Sequence, residues 1–427
     1  MKFLQRLIKD PSYRDLLADS VIALFVRVLG AGSAFIVAIV ITRQLGAEGS
    51  GYYFLGFSIL SVLAAITRCG LDNTVLRFVG AYPENAASII KRTVSVVAII
   101  SIFAALLTYS LANFLSLWLF DKPNLVGVLQ AVAPGVAGLA ILTIISSALQ
   151  GIRRVSWSIF VLNIAANLFL LLAIYVFGSG SAEEYSWYYS ASTITTALLG
   201  LLLFFRYIPA QSENNVLSSD IRASCLPLWG VVVMAQMVLW SGQFIAGILL
   251  PAEDVAQLAV AQRTALLPSF ILVAVSRVVA PKLAEFYRKG AYSELQELTI
   301  KSVKLTFCLS APIIALMLLF PEVLINLFGS GFGEGVLFLQ IMAVGQFFNV
   351  VTGCVTFLLM MTGHERDMRN ITIASGVLSI LAAWILTTLY GALGAAIGAA
   401  LGVATQNLLA VYFVKKRLGI NTLGVWK

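Results

Sequence analysis

From residue 20 to residue 414 the chain alternates long apolar stretches with short polar ones. The apolar runs lie at 20–42, 52–69, 93–118, 125–149, 157–178, 187–205, 226–250, 255–280, 303–320, 336–362, 371–390 and 393–414. A helix needs about 20 apolar residues to cross the roughly 30 Å hydrocarbon layer, where every backbone group must be bonded within its own segment. Each run fits that length, so the pattern predicts an all-α membrane protein of twelve transmembrane helices. It reads as a basic, amphipathic cytoplasmic segment (1–19), a six-helix bundle (20–205), a cytoplasmic linker (206–225), a second six-helix bundle (226–414) and a basic cytoplasmic tail (415–427). The first run ends in Ile-Thr-Arg with no small-residue cleavage site and is read as a retained helix.

Composition agrees. Of the 427 residues 60% are hydrophobic and 11% charged, against about 25% charged in soluble domains. That balance excludes a cytosolic enzyme, a secreted disulfide scaffold and a disordered chain. The four cysteines are far apart and form no CxxC pair or Cys/His cluster, which argues against disulfides and zinc. The net charge of +8 does not form a stripe along any element, so it points to membrane topology and not to nucleic acid. With both termini cytoplasmic, the inner segments carry 24 of the 28 Lys and Arg residues, and the outer loops carry only Arg43 and Lys122. That bias sets the orientation with both ends inside.

The chain also reads as doubled. LGAEGSGYYFL after the first span resembles LLPAEDVAQLA after the seventh, and LQGIRRV after the fourth resembles MTGHERDMR after the tenth. Aligning the Ala-Glu pairs, and then Gly151 with Gly363, gives offsets of 205 and 212 residues. An even number of spans per half makes the halves parallel repeats, as in many secondary transporters.

Two arginines, Arg27 and Arg263, lie well inside the apolar runs, away from the inner ends where Arg68, Arg277 and Lys304 stand, and a cation there costs about 2.5 kcal/mol or more. Arg27 shares a helix face with Gly30, Ala34 and Ala38, small residues that admit close packing. It is expected to face other helices or a cavity, the bland alternative being a side chain that snorkels to the inner headgroups. Arg263 follows Gln262, and Pro268 five positions later is expected to break the helix and free the Thr264 carbonyl. A cation, an amide and a freed carbonyl at one break suit a ligand site, although a structural kink is the plain alternative. Planar guanidinium forks at Arg27 and Arg263 would suit a diphosphate. At the inner end of the second span, Arg68, Asp72 and Arg77 are candidates for a gate latch or an anion funnel. Arg277 and Lys282 occupy the related place after the eighth span, and positive-inside charge alone explains much of both groups.

Ten amides recur within the spans: Asn113, Asn163, Asn167, Gln236, Gln243, Gln340, Gln346, Asn349, Gln406 and Asn407. Singly, each is expected to bond between helices; together they could line a hydrated path suited to sugar hydroxyls. Gly394, Gly398 and Gly402 form a small-residue seam for packing the last helix. The glycine-rich stretch 329–335 lacks the Lys-Ser/Thr of a nucleotide loop, and His364 is expected to be an ordinary solvated residue. The central spans carry no Asp or Glu, so the fixed intramembrane charge is positive and favours an anionic substrate.

The segment beginning RVLGAGSAFIVAIVITRQLGAEGSGYYFLGFSILSVLAAITRCGLDNTVLRFVG resembles polysaccharide-biosynthesis flippases of the O-antigen (Wzx-like) type. LPLWG (226–230), LLPAEDVAQLAVAQR (249–263), FPEVLINLFGSGF (320–332) and GALGAAIGAA (391–400) are similar to the same family, which places the resemblance over about residues 16–418. The resemblance implies a MATE-like fold, two pseudo-symmetric six-helix bundles around a central cavity. It implies movement of an undecaprenyl-diphosphate-linked oligosaccharide from the cytoplasmic to the periplasmic leaflet of a bacterial plasma membrane, with membrane lipids, a polysaccharide polymerase and chain-length machinery as partners. In the related lipid II flippases, arginines of helices 1 and 8 belong to the headgroup cavity, and Arg27 and Arg263 fall in those helices here. No cofactor or metal is expected, and no coupling-cation site is evident in the sequence. The rival readings are a drug or small-metabolite exporter on the same fold and a membrane-embedded glycan polymerase.

Overall fold

The computed structural model describes residues 11–178, 180–208 and 218–422. The side chains of Arg27 and Arg277, and most of those in 11–25 and 218–238, lie outside that description, as do large parts of the N-terminal segment and of the 206–225 linker. Among the described residues the chain is helical with no strand. Ten helical stretches are long and apolar enough to cross a membrane. The first of these holds two expected spans, and a shorter apolar stretch, Leu239–Leu249, supplies another. The twelve apolar runs are thereby accounted for in a multi-pass membrane protein.

Helix α1 (Pro11–Thr67) contains the first two runs. The expected loop between them reduces to one non-helical residue, Gly46, at φ 67° and ψ −171°. This backbone conformation strains any residue with a Cβ, so a single glycine kinks the helix where a loop was expected. After α1, Cys69 and Gly70 both take positive φ and lead into α2 (Leu71–Ala81). In the sequence this stretch lies on the inner side, between the second and third apolar runs. It is an amphipathic helix that buries Leu71, Thr74, Val75 and Val79, spaced so that one face meets the core.

The first half continues with α3 (Ala86–Phe114), α4 (Leu125–Gly151) and α5 (Val155–Phe160), which runs through a π segment into α6 (Ala166–Phe177), and then α7 (Ala182–Tyr207). The start of α7 is marked in sequence. Ser181 Oγ accepts from the Glu184 N–H at 3.3 Å, and Glu183 and Glu184 lie in the positive first turn. The second half comprises α8 (Ser218–Leu249), α9 (Ala252–Ala265), α10 (Leu267–Arg288), α11 (Tyr292–Leu319), α12 (Pro321–Ile325), α13 (Gly335–Thr352), α14 (Val355–Met361), α15 (Glu365–Tyr390) and α16 (Ala392–Leu418).

The chain divides into two compact units. One comprises Met1–Val37, Ile59–Ser116 and Lys122–Val233; the other comprises Ala38–Ser58, Leu117–Asp121 and Met234–Lys427. The division falls inside α8, and the turn around Gly46 belongs with the second unit. The first unit is organised on α4, which is apolar all round and mostly buried. Its small residues admit α7 closely: Ser190 Oγ donates to the Ala131 carbonyl at 2.6 Å, and a Cβ at Gly138 would stand 2.9 Å from the Ile194 nitrogen. In the second unit the glycine seam packs α16 on α15. A Cβ at Gly398 would lie 2.7 Å from Ala383 Cα, and one at Gly402 would lie 2.7 Å from Ser379 Cβ. Lipid offers no hydrophobic drive for helix association, so this close approach is what holds the pair together.

Two connections singled out by the repeat end on the same backbone turn. At the end of α4, Ile152, Arg153 and Arg154 donate to Ala148, Gln150 and Leu149; at the end of α14, Thr362, Gly363 and His364 donate to Leu358, Met360 and Leu359. These two turns lie 210 residues apart. Arg153 (φ 62°) and Gly363 (φ 77°) both take the left-handed conformation there. Gly151 has another duty, since a Cβ there would come 2.9 Å from Val79 Cβ.

Candidate functional site

The second unit contains a cavity of about 410 Å³, within the range of small-molecule sites. Five glutamines line it: Gln236 and Gln243 of α8, Gln262 of α9, Gln346 of α13 and Gln406 of α16. Gln236 and Gln243 are seven residues apart, two turns of helix, and so share a face. Alanines, Thr372, Ser379 and Gly402 complete the wall from α15 and α16, and among the described residues no Asp, Glu, Lys, Arg or His contributes to it.

Several of these amides are half used. Gln236 Oε1 accepts from Trp240 Nε1 at 3.0 Å. Gln262 Nε2 donates to the Leu239 carbonyl at 3.2 Å. Gln346 Oε1 accepts from Ser269 Oγ at 2.7 Å and from Asn349 Nδ2 at 3.0 Å. Gln243 is only 3% exposed, and neither its Nε2 nor its Oε1 has a partner within the protein.

The other intramembrane amides are mostly spent on packing. Asn163 and Asn167 donate to carbonyls one turn back, and Asn167 also reaches Ser33 at 3.0 Å. Gln340 donates to the Leu318 carbonyl, and Asn407 donates to Val403 while accepting from Thr352. Asn113 is exposed on α3. Of the ten amides singled out by sequence, four line the cavity, and Gln262 joins them.

Gln262 and Arg263 are neighbours in sequence but face different surroundings, because successive helical residues are turned about 100° apart. Gln262 lines the cavity. The Arg263 guanidinium lies over the Phe54 ring, 3.9 Å from its centroid, with Phe57 at 5.7 Å, and Nη1 donates to the Ala259 carbonyl at 3.2 Å. The face of an aromatic ring attracts a cation through its quadrupole. The break beside it falls at Leu266: α9 ends at Ala265, and α10 starts at Leu267 with Pro268 in its first turn. Proline is suited to that position, where its missing N–H is not required for the helix. The backbone of Gly51 rests against Ala252 in the same unit, leaving no space for a side chain, so the turn after the first span packs on its repeat counterpart after the seventh.

In the first unit Arg68 and Asp72 come together, with Nε and Oδ2 4.0 Å apart and side chains 11% and 15% exposed. The contact is loose: Arg68 Nε and Asp72 Oδ1 have no hydrogen-bond partner within the protein. Burial pushes the Arg68 guanidinium below its ordinary value, and the nearby Asp72 charge acts the other way. Arg77 does not join them; it is exposed, with its guanidinium 5.9 Å from the Phe78 ring. The roles expected of Arg27 and Arg277 rest on side chains outside the described residues. Gly30, one turn from Arg27, is buried against Asn163, with 2.7 Å between a Cβ built there and Asn163 Cβ.

Two residues given no bonding role in the sequence are structural. Gln257, 6% exposed, accepts the Gly335 N–H through Oε1 at 2.8 Å, which ties the end of the 329–335 glycine stretch to α9. Arg43 Nε donates to the Leu327 carbonyl at 2.7 Å. No group of three or more His, Cys, Asp or Glu able to hold a metal ion occurs among the described residues.

Comparison with known proteins follows the same lines. The sequence pattern of a family described as polysaccharide biosynthesis protein matches residues 16–287, and that of the MatE family matches residues 227–385. An uncharacterized membrane protein of Methanocaldococcus jannaschii is 22% identical over 418 residues, covering 91% of this chain and 82% of the relative. Among solved structures, a multidrug resistance MATE family transporter of the MOP superfamily, in an inward-facing conformation, superposes with a TM-score of 0.77 at 15% identity, covering 94% of this chain and 98% of that one. The lipid II flippase MurJ, in an inward closed conformation, gives 0.74 at 15% identity, covering 93% and 87%. A MOP superfamily transporter from Pyrococcus furiosus gives 0.68 at 17% identity, covering 100% and 99%. The fold is therefore of the MATE and MurJ type.

Proposed function

The chain belongs to the polysaccharide biosynthesis protein family, and on that premise we propose that it is a flippase for a lipid-linked oligosaccharide, carried from the cytoplasmic to the outer leaflet by alternating access. Family membership carries the reading; the shared fold with a lipid II flippase supports it. In this reading the headgroup enters the protein while the polyprenyl tail stays in the bilayer. Arg263 meets the diphosphate, its plane held by Phe54 so that the fork can bind oxygens bidentately. Arg27 is assigned the same duty on the evidence of its place in an apolar span. Arg68 and Asp72 form a latch near the inner surface, supported by their loose, half-satisfied contact.

The proposed setting is a bacterial plasma membrane with both termini cytoplasmic, as the Lys/Arg bias requires. A polymerase and chain-length machinery would take the product. Two uncompensated negative charges moving outward gain about 4–5 kcal/mol at 100 mV, inside negative, so the membrane potential could supply the drive without a coupling cation.

The test is a deletion strain complemented with wild type, Arg263→Ala or Arg27→Ala at equal membrane abundance. Surface glycan is expected with wild type only, with lipid-linked glycan accumulating on the cytoplasmic leaflet otherwise. Normal glycan in the deletion strain together with altered drug sensitivity would replace the reading with a drug exporter on the same fold.

A further inference from the structure

The glutamine cavity of the second unit has a composition that the diphosphate does not explain. Among the described residues its wall carries five primary amides and no charged side chain. An anion would choose a cationic wall, and a hard cation would choose carboxylates. A neutral amide offers an acceptor and two donors side by side, a pairing that suits the hydroxyls of a sugar ring, each of which both donates and accepts.

The decisive residue is Gln243. Both its polar atoms are buried without a protein partner, deep in a membrane span where such groups are ordinarily satisfied by neighbouring helices. The rest of the wall shows how these helices satisfy an amide when it is structural: Asn407, on the same α16 as Gln406, is bonded on both its nitrogen and its oxygen. Gln236 keeps its nitrogen unused, Gln262 its oxygen and Gln346 its nitrogen, so donors and an acceptor line the same cavity whose wall includes Gln243. The alanines of α16 give the remaining wall an apolar surface against which the C–H face of a ring can lie.

We propose that this cavity binds one uncharged, hydroxyl-rich sugar ring through Gln243, Gln236, Gln262, Gln346 and Gln406, separately from the anion contact at Arg263. The assignment rests on the flippase reading for its biological ligand, and it makes this unit the part of the protein that reads sugar identity. An uronic acid or a phosphorylated sugar would bring a charge to a wall with nothing to pair it.

The experiment uses the full-length protein in detergent with methyl glycosides of glucose, galactose and N-acetylglucosamine as probes and methyl glucuronide as the charged control. Binding is read by saturation-transfer NMR and by thermal unfolding. At least one neutral glycoside is expected to bind and stabilise wild type, with methyl glucuronide at least about fivefold weaker. Gln243→Leu should unfold at a higher temperature than wild type without ligand, since an unsatisfied amide is replaced by an apolar group of similar size, and should bind the glycoside at least about fivefold more weakly. Equal binding by Gln243→Leu, binding of no neutral glycoside, or stabilisation by sodium against choline chloride alone would each overturn the proposal. The flippase reading is scored apart: loss of surface glycan in Arg263→Ala with unaltered glycoside binding supports both, whereas normal glycan in Gln243→Leu beside lost glycan in Arg263→Ala removes the sugar site and leaves the flippase.

Discussion

Replacing Phe54 tests whether the ring beneath Arg263 orients the guanidinium or merely fills space. Phe54 is 1% exposed, and the guanidinium carbon stands 3.9 Å from its centroid, well inside the roughly 6 Å reach of a cation–π contact. Phe57, at 5.7 Å, lies at the edge of that reach and adds little. A desolvated contact of this kind is worth about 2 kcal/mol, an exposed one about 0.5–1 kcal/mol. With the ring buried and the arginine partly so, about 1–2 kcal/mol is expected. Phe54→Leu also loses packing, so the single variant cannot isolate the term. A double-mutant cycle with Arg263→Gln can, provided that thermal or steric-trap unfolding is measured in the same detergent. The coupling should come out at about 1–2 kcal/mol. Arg263→Lys should keep the charge yet lose most of the transport, because an ammonium neither stacks flat nor forms a bidentate fork. A coupling below about 0.3 kcal/mol, or full transport by Arg263→Lys, would refute the claim that planar orientation matters here.

Other outcomes follow from the same geometry. Gly398→Val should lose stability by about 1–3 kcal/mol or misassemble, since its side chain would enter Ala383, whereas Gly32→Ala, with open space around it, should gain up to about 1 kcal/mol from helix propensity; unfolding of the two variants compares them. Asp72→Asn should destabilise the protein by about 2–3 kcal/mol by leaving Arg68 buried without its counter-charge, and the pair Arg68→Met with Asp72→Leu should recover that loss. If the pair is a latch, the recovered variant folds yet transports poorly; normal transport assigns it to structure alone. Reporter fusions should give cytoplasmic signals at the C terminus and after Arg153, and an outer signal at Gly178; a reversed pattern would overturn the orientation read from charge.

The number of spans and their approximate ends were legible in the residues because lipid imposes a one-dimensional rule. A run is either long enough to cross or it is not, and basic residues mark one side. The seam at Gly394, Gly398 and Gly402 was legible for a similar reason, since a repeat of small residues has few other uses in a membrane helix. Three things waited for the tertiary structure. Helix α2 is short and polar enough to pass for a connection, and only the core under Leu71, Val75 and Val79 shows that it is an element. The helix ends at Arg153 and Gly363 share a left-handed residue although their side chains differ, so like backbone turns are not marked by like residues. The amides are the sharpest case. Asn407 and Gln406 are adjacent and chemically alike, yet one is held by Val403 and Thr352 while the other lines a cavity. An amide's role depends on whether a neighbouring helix brings a carbonyl or hydroxyl within about 3 Å, and that distance is a property of how the helices pack, which no local run of residues contains.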